Sequence, residues 1–343
     1  MDQATRTQIE LAVSQLKMGH QLQALGQHDV ARDAFMKVVS TFQKLATSEP
    51  SNVIWQHQLA SSYDNVGNTL LTTGRYQEAL ASYESGLAIR EKISGIGING
   101  EALQGLSDSY HNVGNALLGA GQVADALTAY QKAVRAIETL ISLEPLNLDF
   151  QQSAASSYER IGGLLFRIGK REEALSMFEK LVDTTKRVAH ADPNSPDRQH
   201  NLGASYGRLG EALASVGRHQ EALSALKSSL EICAKVSEAN PRDNRWKHTL
   251  AAAYSRFGSA LQRAEQGGEA LKYFEKSLSI FESFARTDPN NIKVQSDMAM
   301  CLGQLAEHLV MLLRKSEAID AYKKSCSSTK DWPPPKFTIN NDG

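Results

Sequence analysis

Apolar and small side chains recur along this chain in a fixed order that repeats about every 48 residues. A tyrosine opens the pattern at Tyr63, Tyr110, Tyr158, Tyr206 and Tyr254. Sixteen residues later an alanine follows, and the same alanine recurs at both ends of the chain, giving Ala31, Ala79, Ala126, Ala174, Ala222, Ala270 and Ala318. Seven alanines at one period do not arise by chance, so the pattern predicts seven repeated structural units.

Each unit has the pattern of two helices. Apolar or small residues lie three, four and seven positions after Tyr63, which is one face of a 3.6-residue period. Gly74 stands where that helix would end, because glycine tolerates a left-handed backbone. A second periodic stretch follows, and a proline such as Pro145 separates most units. Alternating strand patterns are absent, so the sequence predicts an all-α fold of about 14 helices.

The small residues four and sixteen positions after the tyrosine predict close helix packing. The bulky side chain at the twentieth position, such as Tyr83, is expected to fill the space they leave. The register predicts units at 1–49, 50–97, 98–144, 145–192, 193–240, 241–288 and 289–327. Residues 94–100 lack proline and are one residue short, which predicts a bend or flexible joint there. Residues 328–343 contain three consecutive prolines and are expected to be extended or disordered.

The run Tyr63-x2-Val66-Gly67-x2-Leu70, followed by Ala79-x3-Tyr83, resembles the tetratricopeptide repeat over nearly the whole of residues 4–327. The usual repeat has ~34 residues, so each helix here is expected to be about two turns longer. Such long helices resemble those of kinesin light chains and of many bacterial repeat proteins. The resemblance implies a right-handed α-solenoid superhelix of seven helix–turn–helix repeats, with the first helices lining a concave groove.

The composition argues against several functional classes. Lys plus Arg is 37 and Asp plus Glu is 38, for a net charge of −1, which makes nucleic-acid binding through bulk positive charge unlikely. Three cysteines suit a reducing compartment and predict a cytoplasmic location. No apolar run reaches the ~18 residues that cross a membrane, and residues 1–16 lack the apolar core of a secretory signal.

Two short motifs match enzymes but lie in the wrong context. Gly95-x-Gly97-x-x-Gly100 has the spacing of a dinucleotide-binding loop, which needs a preceding strand. Gly203-x-Ser205-x-Gly207 has the spacing of a nucleophile elbow, which needs a strand-to-helix turn, whereas Ser205 falls in a predicted helix. The nine histidines and three cysteines form no ligand set by spacing. We therefore expect no enzymatic activity, no cofactor and no metal.

Candidate binding residues lie on the side of each first helix that faces away from the predicted core. The core is expected to place no constraint on positions two, five and nine after the tyrosine, since they lie opposite its face. From these positions the candidate groove residues are Asn65, Asn68, Asn112, Asn115, Arg160, Arg167, Arg208, Arg256 and Arg263. An asparagine amide can pair with an extended peptide backbone, and kinesin light chains use a similar ladder. The guanidinium group of arginine binds a carboxylate through two parallel hydrogen bonds, which favours an acidic partner.

The sequence thus favours a non-catalytic scaffold that binds a partner peptide or protein segment in the groove. The alternative is a constitutive regulatory or adaptor subunit of a separate effector enzyme, such as a protease, nuclease or kinase, in a bacterial complex. Nucleic-acid binding along the arginine stripe is a weaker third hypothesis, given the net charge. The oligomeric state is left open.

Overall fold

The computed structural model describes residues 3–94 and 100–328, which form fourteen helices. The first helices of the seven units are α1 (Gln3–Ala24), α3 (Val53–Thr72), α5 (Gly100–Gly119), α7 (Leu148–Arg167), α9 (Pro196–Ser215), α11 (Asn244–Arg263) and α13 (Ile292–Met311). The second helices are α2 (His28–Ser48), α4 (Tyr76–Ser94), α6 (Val123–Leu143), α8 (Arg171–Ala191), α10 (His219–Ala239), α12 (Gly267–Thr287) and α14 (Lys315–Ser328). The described ranges contain no strand. The predicted all-α fold of seven helix–turn–helix units is confirmed.

The chain divides into two compact bodies, Met1–Leu164 and Leu165–Gly343, here called the N-terminal and C-terminal bodies. In the N-terminal body each helix from α1 to α5 packs on the next, and in the C-terminal body the same holds from α8 to α13. Neighbouring first helices also contact each other directly, α3 with α5 in one body and α9 with α11 in the other. Apart from their helical end residues, the joint predicted at 94–100 and the tail predicted at 328–343 lie outside the described residues.

The predicted fit between small and aromatic residues is confirmed. A Cβ atom added to Gly67 would lie 2.5 Å from Cε1 of Tyr83, and one added to Gly114 would lie 2.6 Å from Cε1 of Tyr130. These distances are too short for any side chain. In these units the ring of the second helix therefore packs directly onto the backbone of the first, and in the fifth unit Leu226 packs on Gly210 in the same way.

The glycine at the end of the first helix is required by its backbone angle. Gly74 has a φ of 75° and Gly217 a φ of 82°, in the left-handed region that L-residues avoid. In the sixth and seventh units Glu265 and Leu313 take this place, each with a φ of 60°. The turn predicted from glycine thus persists where the glycine is lost, at the expense of backbone strain.

The turns between units fix where each following first helix begins. The side chain of Asn52 accepts hydrogen bonds from the backbone N–H groups of Ile54 and Trp55 at the start of α3. Ser195 and Asn291 cap α9 and α13 in the same way. These caps satisfy backbone donors that a helix start leaves unpaired. They hold the rotation of the first helices, and therefore the direction of the candidate groove residues.

Candidate functional site

Polar side chains of neighbouring first helices bond to one another. In the N-terminal body Nη1 of Arg160 on α7 donates to Oδ1 of Asn115 on α5 at 3.2 Å. In the C-terminal body Nε of Arg256 on α11 donates to Oε1 of Glu211 on α9 at 2.7 Å. Each pair joins residues 45 positions apart, the fifth position of one unit and the second position of the next. This repeated link is here called the first-helix ladder.

The first-helix ladder adds a constraint that the sequence interpretation did not include. Positions two and five were expected to be free of constraint from the core, because they face away from it. The first helices approach closely enough for these side chains to bond across units, so neighbouring helices do constrain them. A surface held in this way is pre-organised, which lowers the entropy lost when a ligand binds.

Two asparagine amides on this face are oriented by tyrosines of the second helices. The hydroxyl of Tyr83 donates to Oδ1 of Asn68 at 2.7 Å, and the hydroxyl of Tyr130 donates to Oδ1 of Asn115 at 2.7 Å. With Oδ1 engaged, each amide presents Nδ2, which is a donor. The same ring that packs against the first-helix glycine therefore also sets the polarity of the groove residue.

A buried ion pair lies beneath the ladder in the N-terminal body. Nη2 of Arg90 on α4 lies 2.6 Å from Oδ2 of Asp64 on α3, and their side chains are 8% and 15% exposed. Arg90 also donates to the hydroxyls of Ser61 on α3 and Ser109 on α5. Burial raises the pKa of Asp64, and the charge and hydrogen bond of Arg90 oppose that rise. Arg90 thus joins both helices of one unit to the first helix of the next.

The sequence interpretation missed Arg90, although a signal was present. The equivalent position of other units holds buried apolar residues such as Phe42, Ile137 and Phe281. A charged residue at a position that is otherwise apolar predicts a buried partner. Asn112, predicted as a groove residue, also acts to lower the pKa of Asp64, against the larger effect of burial.

His111 lies beside Asn112 on α5, with its ring against Tyr130 at a centroid distance of 5.7 Å. Both ring nitrogens are buried and have no hydrogen-bond partner among the described residues. Burial, with a smaller contribution from the charge of Arg160, lowers the pKa of His111 to about 4. The ring is therefore neutral at neutral pH and adds no charge to this face.

The candidate groove residues divide between the two bodies. Asn65, Asn68, Asn112, Asn115 and Arg160 lie in the N-terminal body, where the structure brings Asn115 and Arg160 into contact. The other four candidates are exposed arginines of the C-terminal body, namely Arg167, Arg208, Arg256 and Arg263. The ion pair of Arg256 with Glu211 partly neutralises this group. The second set is therefore less basic than its arginines alone suggest.

The motifs that match enzymes have no catalytic geometry in the described residues. Ser205 lies inside α9, is 2% exposed and donates to the carbonyl of Leu202 at 2.7 Å, so its hydroxyl is an interior helix group. Of the dinucleotide-like motif only Gly100 is described, and it begins α5. Within residues 3–94 and 100–328 no group of three His, Cys, Asp or Glu side chains is placed to hold a metal ion. None of the described helices is long and apolar enough to cross a membrane.

Comparison with protein families gives matches to tetratricopeptide repeat models. One model matches residues 10–92 and 152–235, and a second matches residues 106–143 and 250–283. Together they cover more than half of the chain. A search of the curated proteins finds no significant match.

Two solved structures share the fold, and a third is similar. The apo form of RapI matches with a TM-score of 0.59 at 13% identity, over 93% of this chain and 77% of that one. BtubC (BKLC) from P. vanneervenii matches with a TM-score of 0.55 at 14% identity, over 74% and 90% of the two chains. Kinesin light chain TPR-like repeats from Podosopora anserina match with a TM-score of 0.47 at 24% identity, over 70% and 98%.

Proposed function

We propose that this chain, which belongs to the tetratricopeptide repeat family, is a non-catalytic scaffold that binds an extended segment of a partner protein. The proposed binding surface is the face of the first helices of the N-terminal body, formed by α3, α5 and the part of α7 that carries Arg160. Repeat arrays of this kind commonly bind partners along such an extended surface. Membership of the family supports protein interaction in general, and the side chains of this face support the specific surface.

The observation that carries the proposal is the pair of oriented amides. Asn68 and Asn115 lie 47 residues apart, and each has its Oδ1 bonded to a tyrosine hydroxyl at 2.7 Å. Their Nδ2 groups are therefore donors of fixed direction in successive units. Backbone carbonyls of an extended peptide are acceptors that such donors fit. Main-chain recognition gives affinity, and pockets between the helices give sequence preference.

An acidic partner stays a prediction. Arg160 supports it, since this guanidinium is exposed and lies beside the oriented amide of Asn115. The ion pair of Arg256 with Glu211 weakens it in the C-terminal body. We therefore assign the main contribution to the binding affinity to the amides of Asn68 and Asn115, and a secondary contribution to Arg160.

The proposal is tested with peptides selected against the full chain from a random displayed library. Asn68→Ala with Asn115→Ala removes both oriented donors, and we expect the affinity of the selected peptides to fall about 30–150-fold, at about 1–1.5 kcal/mol for each of the two hydrogen bonds. Fluorescence anisotropy of a labelled peptide gives the affinity. Circular dichroism confirms that the variant is folded.

Gln77→Ala with Gln131→Ala is the matched control. These amides are exposed on the second helices α4 and α6, one in each of the same two units, and we expect the affinity to stay unchanged. Loss of binding in the glutamine variant with retention in the asparagine variant would place the site on the second helices. That outcome would refute the proposed surface.

The regulatory alternative uses the same surface, and it differs from the scaffold in how long the complex with the partner lasts. An obligate subunit of an effector enzyme would co-purify at fixed stoichiometry from the native host, whereas an adaptor would be lost on washing. We propose a cytoplasmic location for either role, supported by the free thiols of Cys233 and Cys301.

A further inference from the structure

A cleft of about 230 Å³ lies where the seventh unit packs on the sixth, between α12 and α14. Leu302 and Leu305 of α13 form its floor, Leu271 and Leu278 of α12 form one wall, and Ala321 of α14 lies on the other. The remaining lining is mostly charged and consists of Glu275, Leu309, Arg314, Glu317, Asp320 and Lys324. An apolar cavity of ~150 Å³ is enough to hold benzene. This cleft therefore has room for an aromatic side chain.

The repeat register shows why the cleft exists. In the sixth unit the equivalent floor and wall are aromatic: Phe257 lies edge-to-face against Tyr273 at 4.9 Å, and Tyr254 lies 5.9 Å from the same ring. In the seventh unit leucines stand at the positions of Tyr254 and Phe257, and Ala321 stands at the position of Tyr273. Tyr273 is an exception among the units, since Ser82, Ala129 and Ala225 stand at its position elsewhere, whereas a tyrosine stands at the position of Leu302 in units two to six. The ring that the seventh unit lacks is therefore that of the tyrosine replaced by Leu302.

A lysine marks the same place in several units. Nζ of Lys276 lies 5.2 Å from the ring centre of Tyr273, and Nζ of Lys132 lies 5.4 Å from that of Tyr110. Lys324 occupies the corresponding position of the seventh unit and lines the cleft. A cation over an aromatic face is attractive, and tryptophan gives the strongest such contact. Lys324 is therefore placed to contact an aromatic ring that enters the cleft.

We propose that the indole of Trp332, from residues 329–343 of this same chain, occupies the cleft and replaces the missing ring of the seventh unit. Trp332 is the first aromatic residue after α14, which ends at Ser328. The four residues from Ser328 to Trp332 span up to ~14 Å when extended. Ala321 lies seven residues back along the helix, about 10 Å away. Trp332 therefore reaches the cleft without any change in α14.

Covalent attachment favours this occupant over a separate partner. A short linker holds Trp332 near the cleft at an effective concentration in the millimolar range, about 1 mM or more. An aromatic side chain of another protein must exceed this concentration to compete. The docked indole would cover Leu302 and Leu305 and complete the packing of the seventh unit.

The test is the fluorescence of Trp332 in the full chain. Subtracting the spectrum of Trp332→Leu from that of the wild type isolates its emission from those of Trp55 and Trp246. We expect this difference spectrum to lie at shorter wavelength than that of a synthetic peptide of residues 329–343. We also expect its quenching by acrylamide to be several-fold weaker than in the peptide.

The decisive variant is one whose new side chain fills the cleft. Ala321→Tyr places the ring of the sixth unit in the seventh, so we expect it to displace Trp332 and restore the peptide-like emission. Ala225→Tyr makes the same substitution in the fifth unit, away from the cleft, and is expected to leave Trp332 protected. If Ala321→Tyr does not fold, Leu305→Phe narrows the same floor and serves instead.

Three results would overturn the proposal. One is a difference spectrum equal to that of the peptide, which would show that Trp332 is in solvent. Another is protection that persists in the filled variants, which would place Trp332 elsewhere. The third is protection lost on dilution, which would assign the cleft to the tail of a second copy.

Discussion

The buried pair of Arg90 and Asp64 gives the sharpest test of the packing. Arg90→Met keeps most of the side-chain length and removes the charge. Oδ2 of Asp64 then loses a partner at 2.6 Å while its side chain stays 15% exposed. Breaking a buried ion pair from one side costs about 3–5 kcal/mol, because the remaining charge is buried without compensation. We expect Arg90→Met to destabilise the N-terminal body by that amount.

The double variant distinguishes the energy of the ion pair from the cost of leaving one of its charges buried alone. Leu16 occupies in the first unit the repeat position that Asp64 has in the second, so Asp64→Leu is compatible with the fold. Asp64→Leu alone leaves Arg90 buried and uncompensated, and we expect a similar loss. Arg90→Met with Asp64→Leu removes both charges and should recover to within about 1 kcal/mol of the wild type, since apolar replacements of buried pairs are often neutral.

The assay is urea unfolding followed by the fluorescence of Trp55, which lies at the start of α3 and reports on the N-terminal body. A local probe is needed because repeat arrays unfold in parts. A loss below about 1 kcal/mol for Arg90→Met would show that Asp64 is effectively solvated. A double variant as unstable as the sum of the single variants would show that the residues do not act as a pair.

Three further outcomes follow from packing, backbone and charge. Gly67→Ala should cost about 1–3 kcal/mol in urea unfolding, because its Cβ would lie 2.5 Å from an aromatic ring; Gly163→Ala in α7, with open space around its Cβ, should be neutral or stabilising. Leu313→Gly should raise the melting temperature by relieving a φ of 60°, at a gain of about 1 kcal/mol or less. His111, with a pKa lowered to about 4, binds a proton in the unfolded chain but not in the folded one between about pH 6.5 and 4. Stability should therefore fall by up to about 3 kcal/mol as the pH falls through that window, and His111→Phe should remove this dependence.

Much of the fold was predictable because the same residue pattern recurs in seven units, which distinguishes it from chance. The tyrosine-to-alanine spacing located both helices of each unit. Gly67 and Tyr83 predicted close packing, and in the structure the Tyr83 ring leaves no room for a Cβ atom on Gly67. The left-handed turn was predicted from Gly74 in the same way. Each of these contacts lies within one unit, so the spacing alone decides them.

Contacts between units were not predictable to the same degree. The bond from Arg160 to Asn115 depends on how closely successive first helices approach, which a sequence period does not state. The ion pair of Arg256 with Glu211 has the same origin. Arg90 was missed for a different reason, since the sequence interpretation followed the positions that the units share, and a buried charge pair with Asp64 occurs at a position that is apolar in other units. The proposed surface combines such contacts with bonds inside single units, such as that of Tyr83 with Asn68.

The most direct measurement places a photo-crosslinking amino acid at Asn65, on the first-helix face, and separately at Gln77, on the second helix of the same unit. A selected peptide is irradiated with each variant of the full chain, and the adducts are mapped by mass spectrometry. Binding along the first helices predicts a cross-link from position 65 and none from position 77. A cross-link from position 77 alone would contradict it and place the partner on the opposite side of the repeat.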